Sequence, residues 1–411
     1  MADRRLVVVG ASLAGLRAAE SARHAGFDGT ITLIGAEQHV PYYRPILSKM
    51  FLALDFELPM PALVYRQEEE LRKELGVELV LGAPADGLDT AAREVSVGGA
   101  TVGYDSLVIA TGLRTRRIPG SEALKGVHTL RTAEDAAALR GALREGGRVV
   151  VVGAGFIGAE AASVARAMGL DVTLVDALPV PMADALGPEM GGVAAQLHEA
   201  GGAALRTGVT VTGLAGDGRV ERVLLSDGSA LEADLVVTGI GGTPATDWLD
   251  GSGVSVRDGV VCDPTLATGV PGVYAAGDVA RWTNPLFGRD MRCEHWLSAS
   301  EQGWAAGRNA VDPAHAEPFG HVPYFWSDWY GNRLQFMGVP EADEVEVFGS
   351  TEARDFVALY RTGTRLTGAL TVNRKTSAPA LRRLVRSRAS WDEAVLLAKE
   401  STSATVSPAA G

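Results

Sequence analysis

Unbroken apolar runs alternate along this chain with segments in which charges recur at helical spacing. Val7–Val9 is one such run and Val149–Val152 another, and each leads into a glycine-rich stretch, "VVVGASLAG" (7–15) and "VVVVGAGFIGAE" (149–160). Past the first stretch, Arg17, Glu20 and Arg23 interrupt the apolar positions every three residues. That spacing predicts an amphipathic helix over Leu13–His24. The second stretch predicts a helix over Phe156–Met168. Gly26 and Gly169 then punctuate the chain, and "TITLIG" (30–35) and "DVTLVD" (171–176) read as buried strands. A strand, a glycine turn, a helix and a second strand make a βαβ unit. The chain carries it twice.

The echo continues downstream. "REVSVGGATVGYDSLVIATG" (93–112) resembles "ERVLLSDGSALEADLVVTGIG" (221–241). Both read as a hairpin with a glycine turn, followed by a buried strand that ends in Thr-Gly, at Thr111-Gly112 and Thr238-Gly239. Two similar modules follow one another, as after a duplication. A sharp strand-to-helix turn presents backbone N–H groups and the positive end of a helix dipole, a seat for a pyrophosphate. Glycines permit the turn and the close approach of the ligand. The second loop has all three glycines, Gly153, Gly155 and Gly158. The first has Gly10 and Gly15, with Ser12 where the middle glycine belongs.

The acids separate the two loops. A carboxylate at the end of the second strand accepts bonds from adenosine ribose hydroxyls and repels a 2′-phosphate. Asp176 stands there in the second module with no arginine beside it, which favours NADH over NADPH. The matching position in the first module is Gly35, and the nearest acid is Glu37. A third signature, "GVYAAGDVARW" (272–282), places Asp278 just after a short apolar strand. Such a strand can return to the first module and offer its carboxylate to a ribityl chain. FAD has a ribityl; NAD does not.

Composition removes several classes. The chain has 411 residues and is 46% hydrophobic, enough for two or three domains. Its formal charge of −12 speaks against a nucleic-acid binder. Cys262 and Cys293 form no C-x-x-C pair, so two reduced thiols are expected rather than a redox dithiol. No stretch of about 18 uncharged apolar residues suggests a membrane span, no metal site is expected, and the expected location is the cytoplasm.

Seven further pieces complete the picture: "YYRPILSK" (42–49), "LVIATG" (107–112), "LRTAEDA" (130–136), "GAGFIGAE" (153–160), "VYAAGDVA" (273–280), "EHWLSASEQG" (294–303) and "PYFWSDWYG" (323–331). With these, the chain resembles the flavoproteins with two dinucleotide-binding domains, and among them the bacterial NADH-dependent ferredoxin reductases. Ser12, Ile46 (where that family usually has a second proline) and Trp329 (where it often has glutamine) depart from the pattern.

The resemblance implies an α/β fold of two Rossmann-like domains, the NAD domain inserted in the FAD domain, plus a C-terminal α/β domain. The implied bounds are 1–112 and 240–316 for FAD, 113–239 for NAD, and 317–400 for the acceptor side with a terminal helix. Composition makes 401–411 a disordered tail.

Site roles follow from the same resemblance. Lys49, one of five lysines against 33 arginines, is implied beside flavin N5 and paired with Glu160. The implied FAD contacts in the first module are Gly10, Ser12, Leu13, Ala14, Gly15, Ala36 and Glu37, with Ala85, Ala110, Thr111 and Gly112. Others are Arg44, Pro45 and Arg131, then Gly277, Asp278, Glu294, His295, Trp296 and Trp326. The implied NAD contacts are Gly153, Gly155, Phe156, Ile157, Gly158, Glu160 and Asp176, and then Gly239, Ile240 and Gly241.

The absence of a cysteine near "RPILSK" disfavours disulfide reduction and favours a one-electron acceptor outside the chain; the resemblance implies that this acceptor is a ferredoxin that feeds an oxygenase such as a cytochrome P450. An NADH oxidase or diaphorase, an electron-input component of a larger reductase, and a non-catalytic NAD-sensing flavoprotein stay open, as does the oligomeric state. From Arg354 to Trp391 nine basic residues face one acid, a local charge of +8. Arg382, Arg383 and Arg386 in that run are the expected docking residues for an acidic ferredoxin.

Overall fold

The computed structural model describes residues 4–53 and 59–403, and its chain divides into two compact units. One comprises Met1–Tyr43, Glu57–Arg114 and Gly242–His321; the other comprises Arg44–Phe56, Thr115–Gly241 and Val322–Gly411.

In the first unit the valine run becomes strand Arg5–Val9, at the centre of a five-stranded parallel sheet. Thr30–Gly35 and Val77–Leu81 lie on one side of it, Ser106–Ile109 and Val273–Ala275 on the other. Its residues Leu6–Val9 are almost fully buried, as a strand covered on both faces requires. Helix Leu13–His24 follows with the predicted bounds. It packs against Trp296–Val311 at close range, because a Cβ on Gly303 or Gly307 would lie 2.2 Å from the carbonyl oxygens of Ala14 and Ala18.

The second unit repeats the plan. Arg148–Val152 is central, flanked by Asp171–Asp176 and Ala204–Thr207 on one side and by Leu235–Thr238 and Val127–Thr129 on the other, all parallel. Helix Phe156–Ala167 ends one residue earlier than predicted, with Met168 as its cap. In both units the predicted hairpin is part of a three-stranded antiparallel meander. Each meander shifts register at a glycine, Gly87 in one and Gly213 in the other. The Thr-Gly pairs do not superpose in register. Thr238 is the last residue of its strand and pairs with Val152, whereas the residue opposite Val9 is Ile109, two before Thr111.

The second unit also holds a five-stranded antiparallel sheet in the order Tyr324–Trp329, Asn332–Gly338, Arg365–Val372, Asp355–Thr362, Glu344–Ser350. Two helices follow it, Ala378–Ser387 and Trp391–Ser403, where the sequence suggested one. Ser401–Ser403, predicted as tail, continue the last helix, with Arg374 Nη1 donating to Ser401 O at 2.7 Å. The remainder of that predicted tail lies outside the described residues. Helix Ala183–Ala200 breaks at Gly187 (φ 76°, ψ 160°) just before Pro188, which has no N–H to give. The Tyr360 hydroxyl donates to Leu186 O beside the break at 2.6 Å.

Candidate active site

The two glycine-rich loops are built alike. The first glycine of each donates its N–H to the residue before the end of the neighbouring strand, Gly10 to Ile34 O and Gly153 to Val175 O, both at 2.7 Å. Each also has positive φ, 124° and 96°. A Cβ there would strike a carbonyl oxygen of the opposite strand's exit, Ala110 O at 2.0 Å or Gly239 O at 2.4 Å. These two positions admit glycine alone.

Neither following helix is capped through the side chain of its N-cap residue, Ser12 or Gly155, and neither has an acid in its first turn. Helix Ala133–Glu145 shows the usual alternative, a capping box between Thr132 and Asp135 with two acids in the first turn. The N-termini of the two loop helices, with no acid in the first turn, fit a dinucleotide pyrophosphate. FAD and NAD therefore suit the residues present.

In the second unit, Glu160 sits in the second turn of the loop helix and is 3% exposed. Burying a carboxylate is costly unless it is paired and hydrogen-bonded. Here Lys49 Nζ reaches Oε1 at 2.6 Å, Ser48 Oγ donates to Oε2, and Ser327 Oγ donates to Oε1. Sequence reasoning singled out Lys49 and Glu160 but missed both serines. The only signal for them was their place inside the motifs "RPILSK" and "FWSDWYG". Arg44 and Arg131 also meet, the Arg44 guanidinium donating to Arg131 O at 2.9 Å. Pro45 belongs to the short 3-10 turn Arg44–Ile46. Trp326 lies under the Arg333 guanidinium at 5.8 Å.

The second loop runs from Gly153 through Gly155 to Phe156, Ile157 and Gly158, beside the strand exit Gly239–Gly241 that includes Ile240. Gly239 donates to Val152 O at 2.7 Å, and Arg116 donates to Gly241 O at 3.0 Å. The Asp176 carboxylate folds back on this loop, accepting from Ala154 N at 2.7 Å and from Leu178 N at 2.8 Å.

In the first unit, Ser12 is the N-cap residue and Leu13, Ala14 and Gly15 form the first helical turn, beside Ala110 and close to Gly277, whose Cβ would lie 3.0 Å from that of Ala14. Thr111 Oγ1 donates to Ala245 O at 2.8 Å, and Gly112 O accepts from Ala245 N at 3.0 Å. Glu37, next to Ala36, accepts from the Tyr42 hydroxyl at 2.6 Å. Asp278 lies in the 3-10 turn Gly277–Val279, and its carbonyl accepts from Arg292, which also pairs with Glu294 at 2.7 Å. Burial, and then the neighbouring His321, push the His295 imidazole down to about 4. Trp296 Nε1 donates to the Tyr65 hydroxyl at 2.6 Å, and its ring meets Tyr43 edge-on. Ala85 opens the meander strand Ala85–Asp89, two residues past Ala83, whose N–H donates to Gly35 O at 3.1 Å. Cys262 and Cys293 are free, and burial pushes both thiols up to about 12, far from thiolate chemistry.

The chain belongs to the pyridine nucleotide-disulphide oxidoreductase family, whose model matches residues 4–303; a reductase C-terminal domain matches residues 324–404. The class expected from the sequence, an FAD- and NAD-using oxidoreductase with two Rossmann-like domains and a C-terminal domain, is the class to which this chain belongs. The chain is similar to rhodocoxin reductase of Rhodococcus erythropolis, at 37% identity over 92% of this chain and 89% of that one. It is similar also to the ferredoxin–NAD(+) reductase subunit of the benzene 1,2-dioxygenase system of Pseudomonas putida, at 34% over 87% and 86%. Among solved structures, the covalent putidaredoxin reductase–putidaredoxin complex matches with a TM-score of 0.91 and 32% identity, covering 98% of this chain and 97% of that one. Among the described residues, no helix is long and apolar enough to cross a membrane.

Proposed function

We propose that this chain passes electrons from NADH through FAD to a ferredoxin that feeds an oxygenase, such as a dioxygenase or a cytochrome P450, in the cytoplasm. The observation that carries this reading is the buried Lys49–Glu160 pair, held on the helix of the second loop. FAD, when bound, accepts a hydride and releases its electrons singly; the protein binds, orients and excludes water. The first loop with Glu37 and Asp278 would hold FAD across residues 1–112 and 240–316. The second loop with Asp176 would hold NADH across 113–239. Lys49 would supply a fixed positive charge to the flavin, and Glu160 would offer a carboxylate oxygen to the nicotinamide amide. Cys262 and Cys293, buried with their thiols near 12, do not suit a thiolate relay.

The acceptor docks on residues 317–400. Not all of the basic run is available to it. Arg374 is buried and paired with Asp355, Arg361 is paired with Glu344, and Arg382 reaches back to Val322 O at 3.5 Å. Arg383 and Arg386 are exposed on helix Ala378–Ser387 and have no ion pair among the described residues. Their charges serve encounter and orientation more than affinity.

The test is anaerobic turnover with NADH against a panel of ferredoxins, in wild type and in Arg383→Glu/Arg386→Glu. The expected result is ferredoxin reduction whose KM rises several-fold in the variant, with ferricyanide reduction nearly unchanged. Oxygen consumption without reduction of any ferredoxin would replace this reading by an oxidase. A ferredoxin KM indifferent to the double reversal would move the docking site elsewhere.

A further inference from the structure

One of the three donors to Glu160, Ser327, has its hydroxyl direction set by a residue two positions further along the chain. Ser327 lies inside strand Tyr324–Trp329 and is fully buried. Side chains two apart on a strand share a face, and Trp329 Nε1 accordingly stands 2.7 Å from Ser327 Oγ. A serine hydroxyl has one proton and two acceptor lone pairs, whereas an indole N–H only donates. At the contact with Trp329, Ser327 must therefore accept, and its single proton is left for Glu160 Oε1.

The indole itself has no freedom. Trp329 is 0% exposed and stacks on the His198 ring at 5.4 Å with 24° between planes. The next residue ties the strand end to the helix that bears Glu160, Tyr330 N donating to Ser163 Oγ at 2.7 Å.

We infer that Trp329 is a positioning residue: by fixing the direction of the Ser327 O–H it holds the Glu160 carboxylate in the orientation that meets Lys49. The inference deepens, and rests on, the reading of Lys49 and Glu160 as the hydride-side pair. A glutamine at position 329 carries a donor and an acceptor, and leaves the Ser327 hydroxyl two choices where tryptophan leaves one.

The experiment combines stopped-flow reduction of the FAD-loaded protein by NADH with indole ¹⁵N–¹H spectra of the same protein, oxidised. Trp329→Phe keeps the ring and deletes the donor; Ser327→Ala deletes the relay. Each is expected to lower the limiting rate of reduction about three- to tenfold, the worth of one ordinary hydrogen bond. NADH affinity should change little. The double variant should be no slower than Ser327→Ala alone, because the two groups act in series. Trp329→Gln should recover part of the rate. The indole resonance that disappears in Trp329→Phe should shift in Glu160→Gln, since the carboxylate charge reaches it through Ser327.

Additive losses in the double variant, or an indole resonance indifferent to Glu160→Gln, would overturn the relay while leaving the pair intact. A Glu160→Gln protein that is reduced as fast as wild type would instead overturn the reading of the pair itself.

Discussion

The two glycine-rich loops share a backbone but not a sequence, and their differences separate what the fold demands from what a ligand demands. At the first glycine both demand the same thing: positive φ and no side chain, at Gly10 and at Gly153. At the middle position they part. A Cβ on Gly155 would meet nothing within 4 Å, and Ser12 occupies the same place with an ordinary φ of −121°. The middle glycine is therefore no requirement of the turn, and the space beside it is open. The acids differ for a steric reason as well. A Cβ on Gly35, the counterpart of Asp176, would lie 2.6 Å from that of Ala11. The first loop leaves no room for a strand-end carboxylate, and its acid sits two residues on, held by Tyr42.

The largest effect should come from Gly10→Ala or Gly153→Ala. Backbone strain and a forced clash together cost about 3 kcal/mol or more, to be read as a lowered unfolding temperature and lost cofactor. Tolerance of either substitution would break the claim that the first glycine is structural.

Acid should act on both halves to a similar extent. Burial pushes His198 in one unit and His295 in the other from 6.5 down to about 4. Between those values the unfolded chain binds protons that the folded chain refuses. Stability is full above about pH 6.5 and falls as pH drops toward 4, by at most about 3 kcal/mol per histidine. Denaturant unfolding across that window tests it, and His198→Gln should flatten the slope. A flat profile in the wild type would contradict the buried neutral imidazoles.

Asp176→Ala should cost about 1–3 kcal/mol, because two backbone N–H groups lose their acceptor, whereas Glu37→Ala loses one tyrosine contact worth about 1 kcal/mol. Asp176→Arg should also shift the kcat/KM ratio about tenfold toward NADPH. Equal stability losses at the two acids would erase the contrast between the loops.

The smallest effects on stability should be Gly155→Ser and Ser12→Gly, each within about 0.5 kcal/mol. Gly155→Ser should nonetheless raise the KM for NADH several-fold, since the new side chain enters the ligand's space. If it unfolds the protein as Gly153→Ala does, the middle glycine is structural after all.

Much of this was legible in the sequence because it is local. Valine runs, glycine turns and strand-end acids lie within thirty or so residues of one another, and Leu13–His24 and Asp171–Asp176 form with the predicted bounds. The donors to Glu160 were not legible in the same way. Ser48 lies 112 residues before it and Ser327 lies 167 residues after it. No spacing rule distinguishes those hydroxyls from other serines. The Thr-Gly match misled for a related reason: identity of residues does not fix register, and the pairing with the central strand does. The break at Gly187 needed the tertiary partner as well, since the Tyr360 hydroxyl comes from a strand more than 170 residues later.

The two parallel sheets obtain their fifth strands from opposite directions along the chain, Val127–Thr129 before the second module and Val273–Ala275 long after the first. On a ribosome this inverts the usual N-terminal-first order. The sheet begun second has all its strands once Thr238 has emerged, while the sheet begun first must wait for Ala275. At typical elongation speeds of about 5–20 residues per second that interval lasts roughly 2–7 seconds. During it, strand Ser106–Ile109 presents an unpaired, apolar edge. The nascent chain is therefore most exposed to aggregation when its later-begun parallel sheet is already complete.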